Sequence, residues 1–209
     1  MTVAITPAPR MGKRALAKEA NRRAILEAAR TVFARIGYEA ANIRDIIRET
    51  DLASGTFYNY FKSKEEVFEA IANDSVQRFR PLLQKVREEA KDLESYLYAA
   101  YNAYFSFLAE ENDEAIAIGS PHMSLIGVRV DTTEMQTVTE EIAADLEIVM
   151  DKIGLGHLDI NYITAAAIGM AREMGDHMLQ RRPVDPEGAT VFAQKLMLAG
   201  IEALAKSDG

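Results

Sequence analysis

The sequence predicts an all-α protein, and three observations carry that prediction. Apolar residues recur at helical spacing in segment after segment. No segment alternates apolar and polar residues as a half-buried strand does. Between residues 43 and 64, two short helical stretches are joined by a tight turn in the manner of a helix-turn-helix, with a longer helical region after it.

Residues 1–17 combine Pro7, Pro9 and Gly12 with Arg10, Lys13 and Arg14 and have no apolar period, so they are expected to form a disordered basic arm. A helix is expected from about Ala17: Ile25, Ala28, Ala29, Val32, Phe33 and Ile36 line one face, and Gly37 stands where such a helix reverses. Asn42, with Asp45 three residues on, opens a second helix whose face carries Ile43, Ile46 and Ile47 and which should stop near Thr50. Asp51-Leu52-Ala53 is the tight connection, and Ser54 is expected to cap a short third helix. Ser63 and Glu66 have the spacing of a capping box for a fourth helix bearing Val67, Phe68 and Ile71. Pro81 is expected to kink or end that helix, because it lacks a backbone donor.

Further helices are expected over 93–110, which is rich in aromatics, over a short stretch at 113–118, and over 132–153, 160–180 and 186–205. Residues 119–131 read as a looser connection containing Pro121. The expected division is an arm at 1–17, a helix-turn-helix domain at 18–64 and a larger helical domain at 65–209.

Composition excludes several functions. The chain has no cysteine, which rules out a disulfide scaffold, a thiolate metal site and a cysteine nucleophile. No stretch approaches the roughly 20 apolar residues of a membrane span, and the first residues lack the apolar core of a signal peptide; a cytoplasmic location is expected. The formal net charge is −8, but it is unevenly spread. Residues 1–64 carry a net +6 and residues 65–209 a net −14, so the two parts are expected to meet different partners.

At about 100° per residue, Phe57 and Phe61 fall together on the inner side of the third helix with Leu52. The other side presents Gly55, Thr56 and Asn59, flanked by Tyr58 and Tyr60. Short side chains allow close approach to a major groove, and hydroxyls and amides can address phosphates and base edges.

The run GTFYNYFKSKEEVFEAI, with the upstream AARTVFARIGYEAANIRDI, resembles the TetR family of bacterial transcriptional regulators across about residues 20–72. The resemblance implies that Thr56, Tyr58, Tyr60 and Lys64 touch phosphates of a double-stranded DNA operator. It implies that Arg44, Ser54, Gly55 and Asn59 face the groove. Tyr60 replaces a histidine common at that position, so its hydroxyl would have to make the contact. The resemblance also implies a homodimer formed through the last two long helices, and an effector pocket in the larger ligand-binding and dimerisation domain. A packing role within a three-helix core is the alternative for Tyr58 and Tyr60.

Arg10, Lys13 and Arg14 suit either a minor-groove arm or a plain tail. Tyr101, Phe105, Met123, Met150 and Met170 are candidates for lining the pocket, and they suit an ordinary core equally. Glu173 and His177, four residues apart on one helix face, could coordinate a metal or bind a polar ligand group, or be an ordinary hydrogen-bonded or exposed pair. There is no Glu-x-x-His motif, Walker loop, dinucleotide glycine signature or catalytic triad, so no catalytic residue, metal site or cofactor is expected. The expected function is a ligand-responsive repressor bound to a palindromic operator. An activator with the same head, a small-molecule binder without DNA binding, and a helical-bundle enzyme are the alternatives.

Overall fold

The computed structural model of the chain describes residues 12–117 and 132–207. These form nine helices: α1 (Lys13–Ile36), α2 (Ile43–Glu49), α3 (Ser54–Phe57), α4 (Lys64–Glu89), α5 (Leu93–Glu111), α6 (Asp113–Ala117), α7 (Thr133–Lys152), α8 (Ile160–Gln180) and α9 (Pro186–Ser207). There is no strand among the described residues.

Local chemistry sets most helix ends. The side chain of Asn42 accepts from the Arg44 and Asp45 amides while Asp45 accepts from the Asn42 amide, which closes a capping box on α2. Ser63 accepts from the Glu66 amide at 3.1 Å, and the Glu66 carboxylate takes the Lys62 amide at 2.7 Å. Gly37 adopts φ 80°, the left-handed region open to glycine, and ends α1. α3 starts one residue earlier in register than a Ser54 cap implies: the cap position is Ala53, without a side-chain bond, and Ser54 is the first helical residue.

Two further expectations are corrected. Residues 13–17, read as arm, are the first turns of α1; Ala15 and Ala17 favour helix without needing a packing partner. Residues 1–11, with Arg10, lie outside the described residues. Pro81 neither ends nor divides α4, which runs from Lys64 to Glu89. Proline removes one intrahelical bond there, but α4 is buried on both sides of it: Val67, Phe68 and Ile71 before, Leu83 and Val86 after.

Two apolar clusters form the interior. The first joins Ile25, Ala29, Val32 and Phe33 of α1, Ile46 of α2, Phe57 and Phe61, and Val67, Phe68 and Ile71 of α4. The head's core thus extends two turns beyond Lys64. The second cluster joins Val86 to α5, α7, α8 and α9 through Leu97, Phe105, Leu108, Leu146, Met150, Leu179, Met197 and Ile201.

Between the clusters lies a charged clasp. Arg30 of α1 pairs with Asp74 of α4 at 2.9 Å and lies 3.8 Å from Glu111 of α5. Arg78 of α4 pairs with both Asp74 and Glu111, and the Ser75 hydroxyl donates to Glu111 at 2.6 Å. The Glu111 carboxylate is only 8% exposed. Farther along α4, Arg80 pairs with Glu141 and Arg87 with Asp145, both on α7.

Candidate DNA interface and effector cavity

Phe57 and Phe61 anchor the short α3 by burying their rings in the head's core. The residues between and before them are turned outward. Ser54, Gly55 and Asn59 are exposed, Thr56 is half-buried, and Tyr58 is 56% exposed with its ring edge-on to Phe57, 5.5 Å between centroids. Arg44 is exposed on α2, and among the described residues its guanidinium has no partner. Tyr60 differs from Tyr58: it is half-buried and packs on the head's core.

A Cβ built on Gly55 meets nothing within 4 Å, and its backbone conformation is ordinary. The chain's own packing therefore gives no reason for a glycine at this position. Arg44, Ser54, Gly55, Tyr58 and Asn59 are all exposed, and the serine and glycine that open α3 are small residues among hydrogen-bonding side chains, a composition that lets a helix approach a major groove closely.

Lys64, expected at a phosphate, is engaged inside the protein. Its ammonium donates to the carbonyls of Tyr38 (2.9 Å), Ala41 (3.1 Å) and Glu39 (3.3 Å) and sits 4.5 Å from the centroid of the Tyr38 ring. All three N–H donors are thus used to pin the turn between α1 and α2 to the start of α4. Burial and the neighbouring Glu65 carboxylate raise the pKa of the Tyr38 phenol, which donates to Glu65 at 3.3 Å. Lys62, two residues before Lys64, is exposed, and its ammonium has no partner among the described residues.

Behind the clasp lies a cavity of about 1410 Å³, larger than the roughly 300–1,000 Å³ of most ligand pockets. Leu26, Arg30 and Ala34 of α1 form one wall and Phe79 and Leu83 of α4 another. Leu97, Tyr101, Tyr104 and Phe107 of α5, Val138 and Ile142 of α7, and Ala167, Ile168 and Arg172 of α8 complete it. Burial raises the pKa of the Tyr101 and Tyr104 phenols, so both stay protonated; Tyr101 donates to the Ala167 carbonyl at 3.3 Å.

The pocket residues expected from sequence are only partly found here. Tyr101 lines the cavity. Phe105 and Met150 point into the second apolar cluster, at 0% and 1% exposure, and Met170 packs against that cluster beside the Tyr101 hydroxyl. Glu173 and His177 are exposed and form no part of the wall, because they share the outer face of α8 with Tyr162 and Gly169. Met123 lies outside the described residues. The clasp residues Arg30, Asp74, Ser75, Arg78 and Glu111 line the cavity and were not anticipated. No local motif joins Glu111 to Arg78, Ser75 and Arg30, which lie 33, 36 and 81 positions before it. Among the described residues no His/Asp/Glu group is arranged to hold a metal ion, and no helix is long and apolar enough to cross a membrane.

Residues 25–71 match the family described as bacterial regulatory proteins, tetR family. The transcriptional repressor AcnR of Corynebacterium efficiens is 30% identical over 147 residues, covering 63% of this chain and 78% of that one. The fold is similar to the fatty acid degradation regulator FadR of Bacillus halodurans, with a TM-score of 0.70 at 20% identity, covering 91% of this chain and 97% of that one. It is also similar to FadR of Bacillus subtilis in complex with stearoyl-CoA, with a TM-score of 0.65 at 19% identity, covering 85% and 98%. A helix-turn-helix head on an all-helical body defines a DNA-binding transcriptional regulator. The chain belongs to the tetR family.

Replacing Lys64 with Met keeps the aliphatic stem and removes the three carbonyl contacts. The expected loss is about 1–2 kcal/mol, the value of hydrogen bonds to a charged group reduced for its partial exposure. Chemical denaturation checks it, and an unchanged midpoint would show that the latch contributes nothing.

Proposed function

We propose that the protein is a dimeric repressor that leaves its operator when a long, largely apolar effector fills the cavity. The observation that carries this reading is that one cavity is walled both by α1 of the head and by α5, α7 and α8 of the body. A ligand there touches the part that reads DNA and the part that holds it in place. It moves the equilibrium between conformers only by its differential affinity for them. The clasp supplies a difference of the right kind, since spreading α1 from α5 lengthens the Arg30–Glu111 pair, already 3.8 Å apart. Support for the effector class comes from the apolar walls, the cavity volume and the stearoyl-CoA in the similar FadR structure. Support for repression comes from the name of the AcnR relative.

In this reading α3 enters the major groove. Arg44, Ser54, Gly55 and Asn59 face base edges, while Thr56, Tyr58, Tyr60 and Lys62 approach phosphates. Lys64 adds a charge close to the DNA while its donors hold the head together. Two heads would occupy successive major grooves about 34–36 Å apart. The outer faces of α8 and α9 suit the dimer seam. Tyr162, Phe192, Leu196 and Leu204 are exposed there, Phe192 at 63%, and a Cβ on Gly169 or Gly200 meets only open space. Large apolar groups beside bare glycines fit a close helix-on-helix approach of a second copy. A regulator of this kind works in the cytoplasm, where its operator is.

Gly55→Leu should leave thermal stability unchanged or slightly higher, because the added side chain meets nothing and leucine favours helix by up to ~1 kcal/mol over glycine. Its affinity for DNA should fall roughly tenfold or more, about 1.4 kcal/mol. Retained affinity would move the recognition surface away from α3. Phe192→Glu should sediment as a monomer and bind a two-half-site operator more weakly; a dimer of unchanged mass would exclude this seam. Stearoyl-CoA, titrated against the protein bound to the duplex upstream of its own gene, should lower fluorescence anisotropy as DNA is released. Binding of stearoyl-CoA with no release would sink the coupling, and no binding would sink the effector class.

A further inference from the structure

α1 is longer than the head needs. Its first buried residue is Ile25, yet the helix begins at Lys13, and every residue from Lys13 to Ala20 is exposed. This part precedes the family match at residues 25–71. It is held helical by composition, since Ala15, Ala17, Ala20 and Ala24 have the highest helix propensity. It therefore projects as a preformed rod.

The rod's charge is organised. Arg14, Lys18 and Arg22 recur every four residues and share one face, a basic stripe about 12 Å long at 1.5 Å rise per residue. Arg22 fixes where that face points, because its guanidinium carbon lies 5.7 Å from the centroid of the Phe61 ring, in the segment that follows α3. Arg23 stands on the opposite side of the helix from Arg14. Neither Arg14 nor Lys18 has an ion-pair or hydrogen-bond partner among the described residues, and Glu19 is the only acidic residue in the rod.

We propose that this stripe is a second DNA-contacting surface, which lies along the phosphate backbone flanking the sequence that α3 reads. It adds affinity and salt dependence without adding sequence preference, because it offers long cations to phosphates and nothing to base edges. The proposal rests on the reading that this chain binds DNA; Arg14 and Lys18, which carry it, are not part of the cavity wall, whereas Arg22 and Arg23 line the cavity.

The test uses the full chain and a 40-base-pair duplex of random sequence, with binding followed by fluorescence anisotropy from 50 to 200 mM NaCl. The double variant R14Q/K18Q keeps exposed, helix-favouring side chains in place of two charges. Each phosphate contact contributes about 0.9 to the slope of log affinity against log salt. The double variant should therefore show a slope shallower by about 1.8, so that wild type loses about twelvefold more affinity across this range. R23Q, on the opposite face, should keep the wild-type slope. Equal slopes for wild type and R14Q/K18Q would overturn the proposal, as would an R23Q slope per charge as shallow as the double variant's. Failure of the wild-type protein to bind the duplex at 50 mM would overturn the DNA reading as well.

Discussion

The structure depends on one rod with two attachments. α4 is about 39 Å long at 1.5 Å per residue, and it contributes to both apolar clusters: Val67, Phe68 and Ile71 to that of the head, Val86 to that of the body. Because the same helix is buried at both ends, the head cannot tilt without either repacking a core or moving α4 as a unit. Packed cores resist continuous deformation, so the second course is the cheaper one. That makes α4 the natural carrier of a change felt in the cavity beside it.

The space between the two clusters is closed by charge rather than by apolar packing. Arg30, Asp74, Arg78 and Glu111, with Ser75, draw α1, α4 and α5 together around a nearly buried carboxylate. Buried ion pairs add little net stability, since desolvation offsets most of the attraction. Their geometry, however, is selective: a small separation of the helices leaves Glu111 poorly matched. An apolar seam would tolerate the same movement with a gradual loss of contact. A joint of modest strength and strict geometry suits the change of arrangement that the proposed response to an effector requires.

Charge also divides the labour between the parts. The basic first 64 residues and the acidic remainder meet DNA with opposite signs, so the body is kept off the duplex while the head is drawn to it. Within the head, Lys64 and Tyr38 show that a basic residue in a DNA-binding motif can be committed to the fold. Its three carbonyl contacts fix the α1–α2 turn that leads into the helix-turn-helix.

The amino-acid sequence by itself determined most of the helices, the caps of α2 and α4 and the inward and outward sides of α3, because each depends on residues within one or two turns. Asn42 with Asp45, Ser63 with Glu66, and Phe57 with Phe61 are signals of that range. The family was legible for the same reason, since its motif is a local run. Only the tertiary structure decided the rest: the continuity of α4 through Pro81, the diversion of Lys64 into the fold, the outward placement of Glu173 and His177, and the clasp around Glu111. Each of these turns on groups distant in sequence that are brought within a few ångströms. Burial on both sides of Pro81 outweighed its broken hydrogen bond, and helix-to-helix packing chose which face of α8 met the cavity. Periodicity names the faces of a helix, but only its neighbours decide what each face meets.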